Sequence, residues 1–63
     1  MTKLKQYRER AGLSQSGLAR LSGVNVRMIQ KYEQADRDIK KASAETVYRL
    51  ARALNCTMEE LLL

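Results

Sequence analysis

The chain has no proline, tryptophan, phenylalanine or histidine, and its only cysteine is Cys56. Each absence removes a class of protein. One cysteine cannot build an internal disulfide framework, and without histidine the usual zinc clusters lack their ligands. No histidine, no cysteine pair and no phosphate-cradling glycine loop leave an active site without parts, so no enzyme, cofactor, metal or small-molecule ligand is expected. No run approaches the roughly 20 apolar residues of a membrane span, and the charged Lys3 and Lys5 precede no continuous apolar stretch. A cytoplasmic protein with no membrane partner is expected. With 63 residues the chain is read as one domain, 1–63, near the lower size for unaided folding. With proline absent and helix formers dominant, the composition predicts an all-α fold without strands.

Twelve Lys and Arg stand against seven Asp and Glu, a net charge of +5 that suits a polyanionic partner. The helix signals come in order along the chain. Thr2 caps a first helix over Lys3 to Ala11, closed by Gly12, with Leu4, Tyr7 and Ala11 on one face. Ser14 caps a second from Gln15 to Ser22, in which Leu18, Ala19 and Leu21 recur at helical spacing. Gly23 supplies a positive φ for a tight turn, and Asn25 caps a third helix over Val26 to Gln34. Ala19 is small enough to let the third helix cross close over the second, and Val24, Ile29 and Tyr32 pin the crossing. With Ile29 set inward, about 100° per residue puts Arg27 and Lys31 on the outward face. Ser43 caps a fourth helix over Ala44 to Leu54, with Val47, Leu50, Ala51 and Leu54 inward and Glu45 suiting its dipole. Asn55 ends it in the left-handed conformation. Thr57 to Glu60 has the form of a capping box for a last short helix ending in Leu61, Leu62 and Leu63.

The segment from residue 12 to residue 33, GLSQSGLARLSGVNVRMIQKYE, resembles the Cro and repressor type of helix-turn-helix regulators. Gln15, Ala19, Gly23, Ile29 and the Tyr32-Glu33 pair match the family pattern in register, and ETVYRLARALNCTMEELL, from Glu45 to Leu62, is similar to its two closing helices. The resemblance implies a compact five-helix lambda-repressor-like domain with the motif at helices two and three. It implies sequence-specific binding of a double-stranded, pseudo-palindromic DNA operator by a homodimeric transcription regulator, a repressor of bacterial, phage or mobile-element origin. A helix-turn-helix used as a protein-interaction module, such as an antitoxin or adaptor, is the alternative.

On that reading Val26, Arg27, Gln30 and Lys31 read bases, an Arg donating two hydrogen bonds to guanine and Val26 packing on a thymine methyl. Gln15 at a helix start, Asn25, and the basic cluster Arg37, Lys40 and Lys41 meet the DNA backbone. Arg8 and Glu33 resemble a family pair that fixes the angle of the reading helix. Leu62 and Leu63 offer a dimer contact. Tyr7 and Tyr48 fall where the family usually has aliphatic core residues, Cys56 reads as a buried inert thiol, and Ile39 as a plug holding its loop to the core. Two features depart from the pattern. Ala35 stands where the family commonly has glycine, and the connection from Gln34 to Ala42 is longer than usual.

Overall fold

Each helix begins at a side chain whose oxygen accepts a backbone N–H that the helix itself leaves unpaired. In the computed structural model, which describes residues 2–63, the order is α1 (Lys3–Arg10), α2 (Gln15–Ser22), α3 (Val26–Glu33), a 3-10 turn (Ile39–Lys41), α4 (Ala44–Leu54) and α5 (Met58–Leu62). The caps are Thr2, Ser14, Asn25, Ser43 and Thr57, and Asp38 serves the 3-10 turn in the same way. Each contributes about 1 kcal/mol. Thr57 and Glu60 form the full reciprocal box. The expected limits of α2 and α4 coincide with those observed, whereas α1 and α3 each stop one residue short of the expected Ala11 and Gln34.

Four residues with positive φ close four of the helices: Gly12, Gly23, Ala35 and Asn55. At Ala35 the α3 end is a complete Schellman motif, because Asp36 N–H donates to the Lys31 carbonyl at 2.9 Å and Ala35 N–H to that of Tyr32 at 3.2 Å. The helix therefore stops where a glycine would stop it, but with an alanine at φ 62°.

The core gathers Leu4, Leu18, Ile29, Tyr32, Val47, Leu50, Ala51, Leu54 and Leu61, with α2 packed on α3 and α4, and α5 on α4 and α1. Ile39 is half-buried against this core and holds the loop to it. Two expected faces need correction. The inward line of α1 is Leu4 and Arg8; Ala11 lies beyond the last helical residue and is exposed. The inward line of α2 runs through Leu18 and Ser22, so Leu21, about 60° round the helix from Leu18, is left 64% exposed. Ser22 tolerates burial because its hydroxyl accepts the Val24 N–H at 3.1 Å. The inward arc of α4 is the expected Val47, Leu50, Ala51 and Leu54; Tyr48, which the resemblance sets at a family core position, lies outside it and is 51% exposed.

Tyr7 is half-buried and ties α1 to α5 by donating its hydroxyl to Glu60 Oε2 at 2.9 Å. The Thr57 backbone N–H, which donates to the Glu60 carboxylate, holds that carboxyl below its usual range, and the bond to the carboxylate pushes the Tyr7 phenol up. Burial pushes the half-buried Cys56 thiol up as well, away from the reactive thiolate.

An alanine in the left-handed region carries a Cβ clash of about 1–2 kcal/mol that a glycine escapes. Ala35→Gly is accordingly expected to stabilise the fold by about 1 kcal/mol, net of the extra chain entropy of glycine. Urea unfolding should show a higher midpoint at unchanged slope; an unchanged or lower midpoint would show that the alanine bears no strain.

Candidate nucleic-acid interface

The α2–α3 turn is held by its own side chains. Gly23 takes φ 74°, and a Cβ there would also lie 3.0 Å from Arg49 Nη1. Val24 is buried, and Asn25 Oδ1 accepts the Arg27 N–H at 2.7 Å. Asn25 is thus a cap by geometry, exposed at the start of α3. From this start α3 turns Ile29 and Tyr32 into the core and leaves Arg27 and Lys31 exposed on the other side. The two lie one turn apart, about 6 Å along the axis. Val26 and Gln30 flank them, half-buried. Among the described residues the ion pairs are Arg8–Glu33 and Arg49–Glu45, so both outward cations of α3 are free of protein carboxylates.

The other end of α3 is fixed by a buried cluster. Arg8 donates from Nε to Glu33 Oε2 at 2.6 Å and from Nη2 to Oε1 at 3.0 Å, while its Nη1 donates to the Leu13 carbonyl at 2.7 Å. Gln15 Nε2 adds a third donor to the carboxylate, reaching Oε1 at 3.0 Å. The side chains are 11% and 3% exposed for Arg8 and Glu33, and the bond to Glu33 raises the Arg8 pKa against the opposing effect of burial. Buried charge is tolerable only with such complete pairing. Among the described residues no buried side-chain polar atom lacks a partner.

The cluster redefines Gln15. Its side-chain amide, expected to meet a phosphate, faces inward to Glu33. What it turns outward is the backbone N–H at the first position of α2, ahead of the intrahelical ladder. Sequence reasoning missed this because the Glu33 carboxylate arrives from 18 residues away.

The loop cations are exposed but divided. Lys41 borders a groove with Met28 of α3 and Thr46 of α4, Lys40 lines another with Lys3, Leu62 and Leu63, and Arg37 borders both. Ser16 and Arg20, one turn apart on α2, share a shallow groove with Asn25 and Val26. Neither was singled out from the sequence, although their spacing from the helix start at Gln15 puts them on the side of α2 that borders the turn. Leu63 is 87% exposed, while Leu61 is buried and Leu62 half-buried.

An all-helical fold whose second and third helices meet across a glycine turn, with a free cationic face on the third, defines a helix-turn-helix domain of the DNA-binding regulator class. The helix-turn-helix family model matches residues 4–61, and the chain belongs to this family, of the Cro and repressor type. No curated protein and no solved structure matches the chain. No described helix is long and apolar enough to cross a membrane.

Removing one partner of the buried pair strands the other. Arg8→Ala or Glu33→Ala is expected to lose about 3–5 kcal/mol of stability, and the double replacement to recover part of the loss. Chemical denaturation of the four proteins gives the coupling; strictly additive losses would show that the pair contributes nothing as a pair.

Proposed function

We propose that the chain is a sequence-specific double-stranded DNA-binding regulator of bacterial, phage or mobile-element origin, and that it represses transcription from the cytoplasmic chromosome by occupying an operator. The observation that carries this reading is the outward pair Arg27 and Lys31 on a helix whose two ends are fixed by the Asn25 cap and the Arg8–Glu33 cluster. A rigid helix with free cations can enter a major groove without first breaking ion pairs. Arg27 donates to guanine O6 and N7, Lys31 reaches a neighbouring base edge, Gln30 suits adenine and Val26 a thymine methyl. The N–H groups at Gln15 and Asn25, together with Arg37, Lys40 and Lys41, meet phosphates; Ser16 and Arg20 join them across the α2 groove. An apolar outward face on α3 would have favoured the protein-interaction module instead.

In this reading residues 1–63 act as one domain, and two copies bind a pseudo-palindromic site through a two-fold contact around α5. The exposed Leu63 supports it, beside a groove of about 440 Å³ in which Ile39 and Leu62 lie with Lys3, Arg37, Asp38 and Lys40 around them. Leu63 and the half-buried Leu62 are the apolar groups that such a contact would cover.

Selection of bound duplexes from a random pool defines the operator. On it Arg27→Ala should cost about 1–3 kcal/mol and on random DNA little, whereas Arg37→Ala or Lys41→Ala should flatten the log affinity against log salt slope by about one unit on both. Equal losses for Arg27→Ala on both DNAs would remove it from base reading.

Sedimentation with the selected operator should show two chains per site, and Leu63→Lys should abolish cooperativity between half-sites. One chain per operator at saturation would sink the dimer.

A further inference from the structure

Among the described residues three large apolar side chains stand exposed, and two of them, Leu21 and Tyr48, share one groove between α2 and α4. Its volume is about 470 Å³, and Ser22, Arg49, Arg52 and Ala53 complete the lining. Isolated exposed apolar residues are ordinary, but a leucine and a tyrosine on neighbouring helices around one concavity form a patch. The tyrosine is already positioned. Arg52 places its guanidinium 5.8 Å from the Tyr48 ring centre and donates from Nη1 to the Tyr48 hydroxyl at 3.3 Å. Tyrosine and arginine held in this way lose little further freedom when a partner docks, and they are the residue types that dominate binding energy at interfaces.

Charge decides the occupant. The only charged side chains lining the groove are Arg49 and Arg52. Arg49 meets Glu45 in an exposed pair, and Arg52 is in no ion pair among the described residues. A second copy brought over a two-fold axis would set these arginines against their own kind, in a chain already carrying +5. A nucleic acid would satisfy the arginines but leave Leu21 without an apolar partner.

We propose that the α2–α4 groove is a docking site for an acidic, amphipathic segment of another protein, which seats an apolar side chain against Leu21 and Tyr48 and carboxylates against Arg52 and Arg49. The site is separate from Arg27 and Lys31, so the bound partner leaves the reading face of α3 open.

Random dodecapeptides displayed on phage are selected on the folded chain, with depletion on a Leu21→Lys variant. Leu21 is exposed, and an unchanged melting temperature and random-duplex affinity for the variant show that fold and DNA face survive. Enriched peptides should combine an apolar anchor with two or more carboxylates, lose at least tenfold in affinity on Leu21→Lys and on Tyr48→Ala, and exchange their preference from Glu to Lys on Arg52→Glu. Enriched peptides without carboxylates, or an empty selection after depletion, would overturn the proposal. So would displacement of the peptides by random duplex DNA, which would assign the groove to the nucleic-acid surface. A change of oligomeric state on Leu21→Lys would assign it to a second copy.

Discussion

A carboxylate almost wholly removed from water at the end of α3 is the constraint on which the rest of the molecule depends. Glu33 cannot remain there charged without donors, and it draws them from Arg8 on α1 and Gln15 at the start of α2. The third Arg8 donor is spent on the Leu13 carbonyl in the α1–α2 connection, so one cluster fixes three helices and a loop. Replacing such an ion pair with well-packed apolar residues is often neutral or better for stability alone. Its value here is geometric: the planar, two-point contact between guanidinium and carboxylate sets direction, which an apolar contact of equal area does not. The orientation of the cations on α3 follows from an interaction on the opposite face of the same helix.

What could be read from the sequence was what the chain encodes locally. Each cap acts over two or three residues, so Ser14, Asn25, Ser43 and Thr57 announce their helices without reference to the fold. Periodicity states which residues share a face, but not how much of that face a neighbour covers. Leu21 therefore reads as interior and stands at the surface, as does Tyr48 at a position the family fills with core residues, while Ser22 reads as polar and is buried. The 3-10 turn in the α3–α4 connection was illegible because only Ile39 in it has an apolar reason to be placed. The inward turn of Gln15 depends on a carboxylate delivered by another helix. Arg8 and Glu33 were found by resemblance to a family; their own sequence neighbourhoods announce nothing.

The surface divides its chemistry between separate elements. The outward face of α3 carries cations, whereas the exposed apolar groups lie elsewhere, at the α2–α4 groove beside Arg49 and Arg52 and at the C-terminal leucines beside Lys3 and Lys40. Segregation of this kind lets a domain of 63 residues offer several contacts without one masking another. Tyr7 and Tyr48 are engaged by Glu60 and Arg52 at the surface, so neither carries an unsatisfied polar group into the core.

The caps act in time as well as in energy. A helix whose start is written two or three residues ahead of it nucleates from its own neighbours, and helical domains rich in such local contacts fold in microseconds to milliseconds. Arg8 meets Glu33 across 25 residues, between segments whose helix starts are each set locally. Fast local nucleation of this kind shortens the time for which apolar faces stand exposed.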